Sequence, residues 1–183
     1  MSAASTCCWS SSHSSRCTWS SSWSWSDSAE EPEDVPEVRT TVMLRHLSES
    51  FTRRMLEELL DREGFAGCYD FIYVPTNIAS GASFSYGFVN VVSPQEAVRF
   101  KAHFTGFRRW PVPSDKVAAV DWSESIQGLT ALIERYRNSP LVHRNTPDTV
   151  RPAIYRRGAR LAFPRPTRAV KAPRLRRPEK KTL

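Results

Sequence analysis

Short runs of β-favouring residues predict four strands in the middle of the 183-residue chain. The runs are TTVMLRHL, CYDFIYVP, SFSYGFVNVV and KVAAVDW. In the third run, Phe84, Tyr86 and Phe88 occupy alternate positions, so on a strand they would share one face. A polar loop that contains glycine separates the second run from the third.

Two segments between these strands have the periodicity of helices. In SFTRRMLEELLDREGF, hydrophobic residues recur at helical spacing after Thr52, a predicted N-cap, and the helix is predicted to end at Gly64. In SPQEAVRFKAHF, Ser93 is followed by Pro94 at the first helical position and Glu96 at the third, which is a capping-box signature. The resulting order predicts an α+β fold, the ferredoxin-like βαββαβ sandwich, with both helices on one face of the sheet.

The two faces of the third strand differ, and this difference predicts their orientation. Gly87 allows the helices a close approach, and Val89 and Val91 supply an aliphatic surface for them. The row of three aromatic residues then faces the open side of the sheet. Aromatic side chains in that position stack on unpaired bases, a contact worth roughly 1 to 3 kcal/mol per base. The alternative is that a further element covers these rings as ordinary core.

A third amphipathic helix is predicted after the fourth strand, where Leu129, Leu132, Ile133 and Tyr136 recur at helical spacing. Such a helix needs an apolar surface to lie on, so it could shield part of the open sheet, extend the binding surface, or do both. The second strand adds two candidates for RNA contact, Phe71 and Tyr73. Aromatic residues in strands more often pack in the protein than contact ligands, so packing is the alternative for both.

The net charge of +7 is unevenly distributed along the chain. Residues 1–40 carry −4, whereas residues 151–183 hold twelve basic side chains against Glu179 alone, which gives +11. Proline recurs among these basic residues, so the tail is expected to be extended and solvated. Such a tail attracts nucleic acid independently of sequence and in a salt-sensitive way. A nuclear localisation signal and simple solubility are the alternatives.

Composition divides the chain into three predicted parts. Residues 1–38 are rich in Ser and Trp and then acidic, without a periodic apolar face, and are expected to be disordered. Residues 39–155 form the folded domain with its helical extension. Residues 156–183 form a disordered basic tail rich in Arg and Pro.

Several classes of protein are disfavoured by the sequence. The apolar runs are too short for a membrane span, and no secretory signal is recognisable, so an intracellular location in the nucleus or cytoplasm is expected. Cys7, Cys8 and Cys17 lie near His13, but their spacing matches no standard zinc pattern. No phosphate-binding glycine loop or catalytic arrangement is found, so we expect neither an enzyme, a cofactor nor a metal.

Two short motifs resemble those of RNA recognition motifs: SYGFVNVV resembles RNP1 and VMLRHL resembles RNP2. A longer series follows the same order along the chain: TTVMLRHLSESFTRRML, YDFIYVP, YGFVNVVSP, KVAAVDWSESIQG, LIERYRNSPL and RPAIY. This series resembles the C-terminal RNA recognition motif of the Mei-two-like meiosis-regulator proteins. The similarity extends from about Thr40 to Tyr155. It implies RNA binding by the sheet and its C-terminal extension, in a family linked to meiotic or developmental control of RNAs.

Carried over by residue, the resemblance implies a platform of Met43, Tyr86 and Phe88, with Arg45 beside them for contact with a phosphate or a base edge. The chain departs from the family pattern at several positions. Phe84 and Ser85 replace the usual basic residue or glycine of RNP1, Met43 replaces an aromatic residue of RNP2, and His46 replaces its asparagine. The departure at His46 affects the turn that follows the first strand.

Two functional hypotheses follow from the sequence. In the first, the domain binds single-stranded RNA by stacking on the open sheet, and the basic tail assists. In the second, it is a protein-interaction module of the same fold, the third helix occupies the sheet, and nucleic-acid affinity comes from the tail alone. The second hypothesis requires a protein partner that the sequence does not identify.

Overall fold

The computed structural model describes residues 38–173, and the predictions for the N-terminal segment and the last ten residues of the tail fall outside this range. The strands are β1 (Thr41–Arg45), β2 (Tyr69–Tyr73), β3 (Tyr86–Val91), β4 (Ala119–Trp122), β5 (Ala153–Arg156) and β6 (Ala159–Leu161). The α-helices are α1 (Arg53–Leu60), α2 (Pro94–Phe104) and α3 (Leu129–Arg137). Within this range, no helix has the length and apolar character needed to cross a membrane.

All six strands form one antiparallel sheet in the order β4-β1-β3-β2-β5-β6. The first four strands and the first two helices follow each other in the predicted order, which confirms the ferredoxin-like βαββαβ fold. Strands β1 and β3 lie at its centre, where Met43 is opposite Phe88 and Arg45 is opposite Tyr86. Strands β5 and β6 enlarge the sheet beyond β2.

Both predicted N-caps are confirmed. The Thr52 hydroxyl accepts a hydrogen bond from the backbone N–H of Met55, and the Ser93 hydroxyl accepts one from that of Glu96. Each bond satisfies one of the N–H groups that a helix start leaves without an intrahelical partner. α1 ends earlier than predicted, because a wider π-helical turn takes the chain from residue 61 to residue 65, and Gly64 there has a φ of +85°.

Helices α1 and α2 pack on one face of the sheet and enclose the main hydrophobic core. Gly87 faces α1 at close range: a Cβ atom at this position would be 3.3 Å from Leu56 Cδ2 and 3.4 Å from Val74 Cγ2. Val89 and Val91 on the same side of β3 are buried. The predicted orientation of this strand is therefore correct.

Helix α3 lies on the opposite face of the sheet. Leu132 is buried there in a second hydrophobic cluster with Phe71, Tyr73 and Ile154. Gln127, just before the helix, fixes its start against β1. The Gln127 Oε1 atom accepts from the backbone N–H groups of residues 40 and 41, and its Nε2 donates to the carbonyls of residues 41 and 123.

The predicted start of the disordered tail at residue 156 is wrong. Strand β5 continues through a tight turn into β6, and Arg157 and Gly158 in this turn both have positive φ, as a two-residue hairpin requires. Arg160 on β6 forms two hydrogen bonds to Asp148, at 2.6 and 2.7 Å. Thr167 is also anchored, by hydrogen bonds to Asn138. Strand β5 is buried, whereas β6 is exposed and is held by backbone pairing and by the ion pair of Arg160 with Asp148, so no hydrophobic pattern indicated β6.

Candidate nucleic-acid interface

The sheet face opposite α1 and α2, here called the outer face, is divided by α3 into a covered and an uncovered half. The covered half comprises side chains of β2 and β5. The uncovered half comprises side chains of β4, β1 and β3, among them Met43, Arg45, Tyr86 and Phe88. Of the alternatives that the sequence left open for the third helix, the structure shows that it shields part of the sheet.

Phe71 and Tyr73 belong to the covered half, so we remove them from the predicted RNA contacts. Their exposed fractions are 0% and 7%. Tyr136 of α3 stacks on Phe71 with ring centroids 5.8 Å apart and contacts Tyr73 at 4.9 Å. Burial raises the pKa of Tyr73 well above its usual range, and Tyr136 and Tyr86 nearby add to this effect. The sequence could not show this, because β2 alternates in the same way whether or not a helix covers it.

Tyr86 and Phe88 form the aromatic pair of the uncovered half. Their rings meet edge to face, with centroids 5.7 Å apart, and both side chains are partly exposed. Phe88 also contacts the cluster beneath α3, so it lies at the boundary between the two halves. The alternation along β3 places Gly87 between them, toward the helices. The uncovered half thus offers two ring surfaces on a rigid central strand.

Arg45 lies beside this pair and forms an ion pair with Asp121 of β4, with Nε 2.7 Å from Oδ2. The two side chains are about half exposed, at 48% and 53%. Asp121 was not identified from the sequence as a partner of Arg45. The signal was available in the alternation of β4, where buried Val120 directs its neighbours to the outer face.

Two cavities border this surface. A groove of about 550 Å³ extends from Met43, Arg45 and Phe88 to the β4 edge, and its lining includes Trp122. Trp122 packs against the main core, with Lys101 Nζ 5.1 Å from its ring centroid, so it caps the core. A smaller cavity of about 320 Å³ lies at the other end of β1 and β3.

Phe84 lies at this smaller cavity but outside β3. The sequence predicted that Phe84 would continue the alternating row of the strand. The strand instead begins at Tyr86, because Ser85 has a φ of +63° and interrupts the extended backbone. Phe84 remains 57% exposed and lines the cavity together with Tyr86 and Met43.

Positive charge is concentrated in the chain from residue 151 onward. Residues 151–173 contain seven basic side chains and no acidic one. Arg151, Arg160 and Arg165 line a cavity of about 540 Å³ between the hairpin and the segment that follows it. Arg160, together with Arg53, holds the pKa of the Asp148 carboxyl well below its usual range. This carboxylate is the acidic side chain that balances part of the positive charge.

Comparison of the chain with models of known protein families identifies one that matches it. The family model for RNA recognition motif 2 matches residues 39–137, which is more than half of the chain. The chain belongs to the RNA recognition motif 2 family. The matched part of this RNA recognition motif ends with the last residue of α3, so the β5–β6 hairpin follows it.

Relatives of known name support the resemblance seen in the sequence. Protein MEI2-like 2 of Oryza sativa subsp. japonica is 34% identical over 119 residues, which are 65% of this chain and 14% of that protein. Meiosis protein mei2 of Schizosaccharomyces pombe is 32% identical over 139 residues, which are 73% of this chain and 18% of that protein. The chain therefore spans less than a fifth of the length of either relative. The resemblance to the Mei-two-like family is confirmed.

Among solved structures, the second RNA recognition motif domain of yeast poly(U)-binding protein Pub1 is similar, with a TM-score of 0.38 and 16% identity. The match covers 49% of this chain and 99% of that one. The RNA15 RNA recognition motif with bound RNA (GU) matches with a TM-score of 0.40 and 15% identity, over 52% and 94% of the two chains.

Proposed function

We propose that this RNA recognition motif binds single-stranded RNA on the uncovered half of its outer face. The observation that carries the proposal is the Tyr86–Phe88 pair, which is partly exposed beside Arg45 on the half that α3 leaves open. Unpaired bases stack on aromatic rings in such positions, and each stacked base contributes roughly 1 to 3 kcal/mol.

Arg45 would supply the polar contact next to the stacked bases. A guanidinium has five N–H donors, and the ion pair with Asp121 involves Nε. Its remaining donors can reach a phosphate or a base edge. Because this ion pair is half exposed, its rearrangement on RNA binding would cost little. Met43, opposite Phe88, would add an adaptable apolar contact.

The basic segment after β5 would extend the contact to the RNA backbone. The arginines of the hairpin and of the segment that follows are exposed, and the sequence to the C-terminus adds further basic residues. Neutralisation of phosphates by such side chains gives affinity without base preference. In this division of roles, the sheet selects RNA bases and the basic segment strengthens the attachment. The resemblance to the Mei-two-like family supports the further proposal that the biological role is the meiotic or developmental control of RNAs.

The test uses the full chain and a randomised pool of single-stranded RNA at near-physiological salt. Tyr86→Leu/Phe88→Leu retains apolar volume against α3 but removes both rings. We expect this variant to lose about 2 to 6 kcal/mol of binding free energy, since each ring contributes roughly 1 to 3 kcal/mol. Tyr86→Phe is the matched control, because it keeps the ring and removes the hydroxyl, and it should bind as the parent does.

Urea unfolding of each variant separates loss of binding from loss of fold. A folded Tyr86→Leu/Phe88→Leu variant with unchanged affinity would contradict the proposal. If that affinity then disappeared on replacing the tail arginines with glutamine, the second hypothesis would hold, in which the tail alone contacts nucleic acid. The burial of Phe71 and Tyr73 beneath α3 is the observation in its favour.

A further inference from the structure

The chain adopts the left-handed backbone region at two residues that face each other at the end of β1 and β3. His46 has a φ of +65° and Ser85 has a φ of +63°. Side chains other than glycine adopt this region at a cost, so surrounding contacts must hold it in place. They do so here through a hydrogen bond from Leu47 N–H to the Ser85 carbonyl, and through Lys116 Nζ, which donates to the Leu47 carbonyl.

The small cavity of about 320 Å³ lies at this end of the strands, and its lining combines apolar and polar groups. Its size is at the lower end of the range of about 300 to 1,000 Å³ for small-ligand sites. The lining residues are Met43, Arg45, His46, Phe84, Ser85 and Tyr86. His46 and Phe84 are thirty-eight positions apart in sequence, and both are departures from the family pattern.

The backbone around Phe84 is held rigidly although its ring is exposed. The N–H of Phe84 donates to the Pro75 carbonyl, and that of Ser83 donates to the Glu49 carbonyl. The next N–H, of Ser85, donates to the Ser83 hydroxyl. A large aromatic side chain that is 57% exposed on a fixed backbone is not needed for core packing. Its free ring surface is suited to contact with a flat apolar ligand.

The His46 ring is oriented by one hydrogen bond. Its Nδ1 atom is 2.8 Å from the Val117 carbonyl oxygen. A carbonyl only accepts hydrogen bonds, so Nδ1 of the neutral ring must carry the proton. The other nitrogen, Nε2, is then an acceptor, and it has no hydrogen-bond partner among residues 38–173. The ring therefore presents a fixed acceptor beside an exposed aromatic surface.

We propose that this cavity is a base-specific subsite in which one unpaired base packs against Phe84 and donates an N–H hydrogen bond to His46 Nε2. The subsite rests on the proposed function, since it receives a base adjacent to those stacked on Tyr86 and Phe88. It would make His46 a specificity-determining residue at one position of the RNA. The other contacts of the sheet are stacking and charge interactions, which discriminate poorly between bases.

The test measures base preference rather than total affinity. The full chain first selects its preferred sequence from a randomised single-stranded RNA pool, and affinities are then measured for all single-base changes. His46→Gly removes the acceptor and tolerates the positive φ. His103→Gln is the matched control, because it removes a histidine on α2, on the other face of the sheet and outside the cavity. Phe84→Leu tests the ring.

We expect His46→Gly to reduce discrimination at a single RNA position by up to about tenfold, the size of one lost hydrogen bond. Phe84→Leu should weaken binding of RNA with any base at that same position. An RNA analogue whose preferred base lacks the N–H group should bind the parent protein about tenfold more weakly than the preferred RNA does. The His46→Gly protein should bind this analogue and the preferred RNA equally well. His103→Gln should retain the parent preference.

Unchanged preference in His46→Gly, or a change spread evenly over all RNA positions, would overturn the subsite. If this occurred while Tyr86→Leu/Phe88→Leu still abolished binding, the proposed function would stand and the subsite would fall. If the Tyr86→Leu/Phe88→Leu protein bound RNA as the parent does, the proposed function would fail, and the subsite with it.

Discussion

Asn90 is buried in β3, where its side chain connects three strands. Its Oδ1 atom accepts from the hydroxyls of Thr40 and Thr41, at 2.9 and 2.7 Å, and its Nδ2 donates to Asp70 Oδ1 at 2.7 Å. Burial raises the pKa of the Asp70 carboxyl, and the hydrogen bond from Asn90 opposes that effect. The hydrogen bond from Asn90 therefore offsets part of the free-energy cost of burying the Asp70 carboxylate in the folded protein.

We predict that Asn90→Ala lowers the free energy of unfolding by about 1 to 3 kcal/mol at pH 7, because two hydroxyls and a carboxylate lose a buried partner. The loss should be smaller in mild acid. A carboxyl group whose pKa is higher in the folded than in the unfolded protein destabilises the fold as pH rises from the unfolded-state pKa through the folded-state pKa. Removing the Asn90 amide raises the folded-state pKa of Asp70 further, so the destabilisation at pH 7 increases. Urea unfolding at both pH values measures the difference. In an Asp70→Asn background the extra pH dependence should vanish, and its persistence would contradict the explanation.

Alternation along a strand predicted side-chain orientation well and accessibility poorly. For Tyr86 and Phe88 the local period was sufficient, because Gly87 between them marked the face that the helices approach. The same period in β2 correctly placed Phe71 and Tyr73 on the outer face. Their burial depends on where α3 docks, and that position is set by hydrogen bonds distant in sequence. A periodic pattern carries no information about such contacts.

At the scale of secondary-structure elements, Arg53 joins α1 to the chain that leads into β5. This side chain is 6% exposed, and its Nη1 donates to the carbonyls of Asp148 and Arg151 at 2.8 and 2.7 Å. Its Nε also donates to Glu57 on the next turn of the helix. Glu57 in turn accepts a hydrogen bond from the Tyr155 hydroxyl. The start of the helix and the added strand are thus connected through one buried guanidinium.

We predict that Arg53→Met lowers the free energy of unfolding by about 3 kcal/mol, because two backbone carbonyls and the carboxylates of Glu57 and Asp148 each lose a donor. Arg54→Met is a closely matched control on the same helix. Arg54 forms the same i,i+4 ion pair, with Glu58, but is 84% exposed, so its loss should cost no more than about 0.5 kcal/mol. Urea unfolding of both variants provides the comparison. Equal losses in the free energy of unfolding would show that Arg53 stabilises the fold no more than an exposed ion pair does.

The hairpin of β5 and β6 shows why one element escaped sequence analysis. Strand β6 is three residues long and exposed throughout, so it contributes no hydrophobic period, and β5 is buried but only four residues long. Basic residues and nearby prolines instead indicated a solvated tail. The turn at Arg157 and Gly158 was a weak positive signal. Its stability depends on pairing with β2 and on the ion pair of Arg160 with Asp148, both contacts between distant residues.

At the scale of the whole chain, the positive charge is concentrated in residues 151–183. Residues 41–138 contain eleven basic and eleven acidic side chains, so the folded core is neutral by count. Residues 174–183 alone contain five basic residues and one acidic residue. Long-range attraction to RNA would therefore arise from the C-terminal part, and base selection from the sheet. The two contributions should separate in their response to salt.

We predict that replacing the five basic residues of this segment with glutamine, in the full chain, weakens RNA binding mainly at low salt. For single-stranded nucleic acid, each neutralised phosphate contributes about 0.7 to the slope of log affinity against log salt, so the slope should fall by up to about 3.5. Base preference should not change, because phosphate contacts carry no direct sequence information. Salt titrations with preferred and scrambled RNAs measure both quantities. A loss of preference with an unchanged slope would place base recognition in the tail and contradict this division of roles.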